Sequence, residues 1–265
     1  MTHPFLEGLR PTLHISHRGG SKVAPENTLA AFRQAVERFR TQMLELDVHL
    51  TRDGEIVVSH DPTVERCTDG SGAISELGFA ELGRLDAGYR FSPDGATFPF
   101  RGAGVRIPLL REVLRAFPAV RMNIEVKAGA GGVERAFADL IRAEGAVDRV
   151  CVGSEDDAVA ARVCEALPEA CHFYPRDALA EYVISVRSGA TPPLDGRYTV
   201  LDMPLEYLGT RLFDAQLRDT AARHGRWINV WTIDDPAEMR RLVAEGVGGI
   251  MTDRPDLLRQ VLSGG

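Results

Sequence analysis

Residues 227–262 read WINVWTIDDPAEMRRLVAEGVGGIMTDRPDLLRQVL. Two apolar runs, WINVWTI and GGIMTD, each give way to a helical pattern. The first helix is expected over Pro236 to Glu245. The second has Pro255 near its start, where a missing N–H costs no helical hydrogen bond. Strand, helix, strand, helix in that order implies parallel strands joined by crossovers.

The unit recurs toward the N-terminus. LHIS at 13–16 precedes a helix from Asn27 to Phe39, and MLELDVHL at 43–50 is a second strand. GEIVVSHD at 54–61 extends that strand behind an Asp53-Gly54 turn. MNIEVK at 122–127 leads to a helix over Val133–Ala143, RVCVGS to one around Asp157–Ala166, and ACHFYP to one around Asp177–Val186. TVLDMPL at 199–205 precedes a helix around Leu212–His224. With the helix around Leu109–Ala116 assigned to the second strand, there are eight units, which favours closure into a (β/α)8 TIM barrel.

A chain of 265 residues suits one such barrel. The whole chain therefore reads as a single domain, with a small insertion after the second strand at residues 62–107. That stretch is rich in Gly, Asp and Arg, and only SELGFAELGRL within it has a weak helical pattern. The alternative is an open doubly wound sheet, which would often carry a dinucleotide fingerprint. The nearest match, KAGAGGVERAF, has Glu134 at the third glycine's place.

Thirty-one Lys and Arg against 38 Asp and Glu leave a net charge of -7. Phosphate backbones are held by broad basic surfaces, so nucleic acid is not an expected partner. Local positive charge can still hold one phosphate. The first residues lack the apolar core of a signal peptide, and no segment is apolar for long enough to span a bilayer. A cytoplasmic protein without stable membrane insertion is expected. Cys67, Cys151, Cys164 and Cys171 form no CxxC pair and read as reduced thiols, Cys67 alone lying in a polar loop. Oligomeric state has no signature here.

Alternate side chains of a strand share a face. Glu45 and Asp47 therefore point one way, as do Glu125 and Lys127 on the next strand. Three acids at one end of neighbouring strands would repel one another, and a hard divalent cation such as Mg²⁺ or Ca²⁺ would relieve this. Pairing of the acids with nearby Arg or Lys is the simpler alternative. Lys127 is then a counter-ion or a phosphate ligand.

Of seven histidines, His17 and His60 stand out. Each ends a strand-like run beside a turn element, at the face where barrel chemistry sits. Two imidazoles flanking a carboxylate cluster suit a general acid and a general base near neutral pH. His14 and His172 read as satisfied core residues, His49 as a rim residue, and His224 as a helix end. Asp61 is a candidate to orient His60. Arg18 offers a fork of donors for a phosphate oxygen, and Gly19 and Gly20 let the backbone run close to a ligand. Asn27 is placed to cap the next helix, and Glu26 reads either as a first-turn charge or as a site partner. Trp231 lines the pocket or packs beneath a loop, and Asp253 reads as a cap of the final helix.

HRGG at 17–20, PENTLAAF at 25–32, ELDVHLTRDGEIVVSHD at 45–61, IPLLREVL at 107–114, NIEVK at 123–127, NVWTID at 229–234 and GIMTDRPDLL at 249–258 together resemble the glycerophosphodiester phosphodiesterase family. The matches run through most of the chain. The resemblance implies a barrel with the insertion at 62–107 and one divalent metal ion, Mg²⁺ or Ca²⁺, on Glu45, Asp47 and Glu125. It implies His17 and His60 as the acid/base pair, with Arg18 and Lys127 on the phosphate of a small-molecule diester. The implied reaction is hydrolysis of a glycerophosphodiester to glycerol 3-phosphate and an alcohol, a step of lipid and glycerol metabolism. Departures from the family's pattern fall at Cys67 and at the acidic run Glu155, Asp156 and Asp157, which bears on headgroup preference. Two alternatives stand beside this reading. One is a lysophospholipid phosphodiesterase using the insertion's apolar residues as a groove. The other is a catalytically silent barrel that binds a phosphorylated ligand.

Overall fold

Side-chain alternation along the strands sorts the interior from the helix-facing layer. The computed structural model describes residues 3–129 and 131–264; Met1 and Thr2, part of the N-terminal reading above, and Ala130, part of the discounted glycine stretch, lie outside them. In chain order come β1 (Leu13–Ser16), α1 (Leu29–Arg33), β2 (Met43–Leu50), β3 (Ile56–Val58), α2 (Phe79–Leu82), α3 (Leu110–Ala116), β4 (Arg121–Val126) and α4 (Val133–Ala143). There follow β5 (Val150–Gly153), α5 (Asp157–Ala166), β6 (Cys171–His172), α6 (Arg176–Ser188), β7 (Val200–Pro204), β8 (Glu206–Tyr207) and β9 (Thr210–Arg211). The chain ends with α7 (Ala215–Arg223), β10 (Trp227–Trp231), α8 (Pro236–Ala244), β11 (Gly249–Thr252) and α9 (Pro255–Leu262).

Among the described residues, eight parallel strands run in the order β6, β5, β4, β2, β1, β11, β10, β7. A parallel bridge between Phe173 and Val200 joins the two ends into a barrel. All eight expected strand–helix units are present. β3 lies antiparallel on the outer end of β2, with Val58 opposite Val48. The β8–β9 hairpin between β7 and α7 was not expected from the sequence.

Leu13, Ile15, Met43, Cys151, Cys171, Val200 and Met251 form one apolar cluster within the barrel wall's inner face. The alternate residues Leu44, Leu46, Val48, Met122, Ile124 and Val126 pack outward on helix residues such as Phe137 and Val163. Further along the same strands the inward positions turn polar: Glu45, Asp47, Asn123, Glu125, Asp202 and Asn229. That change fixes which end can do chemistry, because buried polar groups must be paired or used.

Residues 62–107 leave the barrel between β3 and α3. Val64, Ile74, Leu82, Ala87 and Ile107 bury against Val57 in their own small cluster, the anchor that a mostly polar excursion requires. Phe91 stacks edge-on against Phe100 at 5.4 Å, and the Arg101 guanidinium covers the Phe98 ring at 3.8 Å. These contacts pack the insertion's aromatic residues against itself.

Candidate active site

β1 ends at Ser16, and the next residues turn inward across the barrel mouth. Arg18 adopts a left-handed backbone (φ 52°) and its N–H donates to Glu45 Oε2 at 2.9 Å. Gly20 follows at φ 99°, where a Cβ would also lie 2.7 Å from the Pro255 ring; only glycine suits both demands. Thr28, not Asn27, caps α1, its hydroxyl accepting from Ala31 N. Asn27 instead takes a left-handed conformation (φ 56°) and donates through Nδ2 to Asp47 Oδ2 at 3.0 Å. The sequence favoured Asn27 as the cap, but a buried carboxylate nearby outcompetes the helix end for its amide.

β2 and β4 are in register with Asp47 beside Glu125. The Lys127 ammonium sits between them, 2.9 Å from Asp47 Oδ1 and 2.7 Å from Glu125 Oε2. Arg18 Nε is 3.4 Å from Asp47 Oδ2, and Nη1 donates to Glu26 Oε1 at 3.2 Å. Glu26 is thus a partner within the site. Burial tends to raise the Asp47 carboxyl, but Lys127 and Arg18 outweigh it and hold it below its ordinary range. Burial raises Glu45 well above the usual carboxylate range, and Asp47 adds to the effect. Burial also raises Glu125, against the pull of Lys127.

The two imidazoles are held alike. His17 Nδ1 is 2.7 Å from Asp253 Oδ1, and His60 Nδ1 is 2.6 Å from Asp61 Oδ1. A carboxylate on Nδ1 fixes the ring and its tautomer and leaves Nε2 for proton transfer. His17 Nε2 lies 3.8 Å from Glu45 Oε2. Burial disfavours the imidazolium of His17, yet Glu45 and Asp253 prevail and raise its pKa. The Arg66 guanidinium and, after opposition from partial burial, His60 hold Asp61 down at about 2. The His49 ring reaches the His60 carbonyl at 3.0 Å, so it supports that loop from below.

Three further expectations require adjustment. Asp253 does not cap α9, whose cap position is Arg254 without a side-chain bond; it is engaged with His17. His14 Nε2 and His172 Nδ1 are buried without a hydrogen-bond partner among the described residues; the His172 ring is held through Nε2 by the Leu167 carbonyl alone. Burial pushes His14 down to about 4, which keeps it neutral. In the acidic run, Asp156 caps α5 and Asp157 accepts from Asp177 N. Only Glu155 approaches the site, its N–H lying 3.4 Å from Glu125 Oε1 while its carboxylate pairs with Arg176.

Trp231 is half-buried and packs on the cluster that includes Phe173 and Met251. Cys67 lines a cleft with Glu26, Asn27 and His60. Burial and the nearby Glu26 push its thiol up to about 12, so it stays protonated. All four cysteines are free. Deeper in the barrel, Asp202 accepts from Asn123 Nδ2 at 2.6 Å and Asn229 Nδ2 at 2.8 Å. A lone acid at an inward position of an apolar strand was the available signal for Asp202. No helix among the described residues is long and apolar enough to cross a membrane.

Residues 17–257 match the sequence profile of the glycerophosphoryl diester phosphodiesterase family. A glycerophosphodiester phosphodiesterase of Caldanaerobacter subterraneus subsp. tengcongensis is 34% identical, over 96% of this chain and 99% of that protein. Human lysophospholipase D GDPD1 is 28% identical over 94% of this chain and 85% of its own length. The crystal structure of a glycerophosphodiester phosphodiesterase from Agrobacterium tumefaciens superposes with a TM-score of 0.75 at 26% identity, covering 94% of this chain and 99% of that one.

Proposed function

The chain belongs to the glycerophosphoryl diester phosphodiesterase family, and from that premise we propose that it cleaves glycerophosphodiesters to glycerol 3-phosphate and an alcohol with His17 and His60 as its acid/base pair. The observation that carries this reading is the matched pair of carboxylate-held imidazoles, Asp253 on His17 and Asp61 on His60. One imidazole accepts a proton from the nucleophile, water or the diester's own neighbouring hydroxyl (whose cyclic phosphate water then opens), as its oxygen bonds to phosphorus. The other gives a proton to the departing alkoxide as the second P–O bond breaks. Arg18 and Lys127 supply positive charge for the phosphoryl oxygens, where negative charge is spread in the transition state.

Glu45, Asp47 and Glu125 are the residues that would hold a divalent cation. Among the described residues, no three acid, imidazole or thiol groups converge on a common point as they stand, and Lys127 bridges two of the acids. The donor set nevertheless fits Mg²⁺ or Ca²⁺: it is all carboxylate oxygen, and two of its members are raised by burial that existing positive charge does not offset. Such an ion would supply Lewis-acid neutralisation of the phosphate.

The packing of Phe91, Phe98 and Phe100 within the insertion favours a soluble headgroup over a lipid chain in a groove there. The test is turnover of glycerophosphocholine, glycerophosphoethanolamine, glycerophosphoglycerol and a lysolipid by the wild type, His17→Ala and His60→Ala. Near-normal turnover by either variant would refute the paired-imidazole mechanism. A preference for the lysolipid would move the substrate to the lysophospholipid class named for the human relative. Tight binding without product would make the barrel a binding module.

A further inference from the structure

Arg66 enters from the first turns of the insertion and divides its guanidinium between two carboxylates. Nε donates to Asp61 Oδ2 at 2.6 Å and Nη2 to Asp61 Oδ1 at 3.1 Å. Nη1 donates to Glu26 Oε2 at 2.7 Å and Nη2 to Glu26 Oε1 at 2.7 Å. Each of those carboxylates holds one other side chain of the site. Asp61 Oδ1 holds His60 Nδ1, and Glu26 Oε1 holds Arg18 Nη1. An unbroken chain of contacts thus runs His60–Asp61–Arg66–Glu26–Arg18.

We propose that Arg66 is a positioning residue that sets two groups at once: the His60 imidazole through Asp61 and the Arg18 guanidinium through Glu26. This rests on the reading of His60 as acid or base and of Arg18 as a phosphate ligand. Arg66 reaches His60 and Arg18 only through these two carboxylates. Its planar fork of donors engages two carboxylates side by side, which a lysine's point charge cannot do. Its side chain is 46% exposed, so it contributes little as core packing, and its removal leaves no deep cavity. What its removal does leave is Glu26, 14% exposed at the side chain, with Arg18 as its remaining cation. Glu26 would then hold Arg18 more tightly and compete with the phosphate for it, while Asp61 would lose the clamp that orients it toward His60. The insertion thereby becomes part of the catalytic apparatus through one side chain.

The experiment measures kcat, KM and thermal midpoint with glycerophosphocholine for Arg66→Ala, Arg66→Lys, His60→Ala and the Arg66→Ala/His60→Ala double variant. Arg66→Ala is expected to lose about 10-fold or more in kcat, within the range of a misplaced acid/base group, and to raise KM as well. Millimolar guanidinium is expected to restore part of the Arg66→Ala activity. In the His60→Ala background, removing Arg66 is expected to cost less kcat than it does in the wild type, since one of the two groups it sets is gone, while the rise in KM through Glu26 and Arg18 persists. Arg66→Lys is expected to keep the wild-type midpoint yet recover only a minor part of the rate, and it carries the test should Arg66→Ala fold poorly. If His60→Ala is inactive while Arg66→Ala and Arg66→Lys keep kcat within about twofold, the positioning role is refuted and the paired-imidazole mechanism survives. If His60→Ala itself is active, both readings fall.

Discussion

His17 Nδ1 lies 2.7 Å from Asp253 Oδ1, though 236 positions separate the two in the chain. Barrel closure brings them together. β1 and β11 pair in parallel with Ser16 opposite Thr252, so the next residue on each strand emerges at the same height of the mouth. The first and last strands of the barrel thus each supply half of one carboxylate–imidazole pair.

Asp253→Asn tests that pair. The amide preserves shape, but it can offer Nδ1 either a neutral acceptor or a donor that forces the wrong tautomer. A loss in kcat of about 10² or more is expected, with KM little changed because Asp253 acts through Nδ1 of His17, the nitrogen turned away from proton transfer. Steady-state kinetics on glycerophosphocholine would measure it. Wild-type kcat in a correctly folded variant would reduce Asp253 to a structural role.

The eight strand–helix units were legible because each strand is a short apolar run and each helix begins near a turn or proline. Glu45, Asp47, Glu125 and Lys127 were legible as well, since parity puts each strand's pair on one face; that Asp47 stands beside Glu125 comes from the register. What parity does not convey is competition among partners. Lys127 bridges two acids, and Asn27 turns to Asp47 instead of capping α1. Asp253 was misread because an Asp shortly before a helix-starting Pro has the local pattern of a cap, while its true partner comes from the opposite end of the chain. Arg66 has no local signature at all: its two carboxylates are 5 and 40 residues away.

Chelation tests the carboxylate trio. The buried Glu45 and Asp47 and the half-buried Glu125 share the charges of Lys127 and Arg18, and desolvation still raises two of the three. A dication bound there is expected to be required for turnover, so EDTA should abolish activity and Mg²⁺ or Ca²⁺ restore it. Added cation should also raise the wild-type thermal midpoint, by about 2.7 kcal/mol of stability at 100 times Kd, and have a much smaller effect on Glu45→Gln. Full activity after exhaustive chelation would leave the acids to Lys127 and Arg18 alone.

Gly249 is a packing requirement of the inner wall. A Cβ there would fall 2.3 Å from Asn229 Oδ1 and 2.7 Å from Ile15 Cδ1. Asn229 cannot retreat freely, because Oδ1 accepts from Trp227 Nε1 at 2.9 Å while Nδ2 donates to Asp202. Gly249→Ala is therefore expected to destabilise by about 1–3 kcal/mol, as overpacked cores do, and to shift the tryptophan emission. Denaturant unfolding followed by fluorescence reads both; unchanged stability would show that this wall has slack.

Asp202 gives a pH dependence of stability with a definite sign. Its carboxylate accepts from Asn123 and Asn229, yet burial, with a contribution from Glu125, pushes it up to about 6 from an ordinary value of 3.8. Between about pH 4 and 6 the folded protein keeps this proton while the unfolded chain has lost it, so folding is progressively disfavoured as pH rises through that window. Above about pH 6 the deficit is complete, on the order of 3 kcal/mol for a difference of roughly two pH units. Asp202→Asn cannot ionise, and it can be accommodated if the Asn123 amide turns to accept its new N–H₂. In EDTA, the midpoint of Asp202→Asn relative to wild type is expected to climb from pH 4 to pH 6 and then level off. Taking the difference between the two proteins at each pH cancels every other titration they share. A difference that is flat across this range, or that falls, would mean that Asp202 is ionised in the folded barrel at no cost, with Asn123 and Asn229 compensating its burial in full.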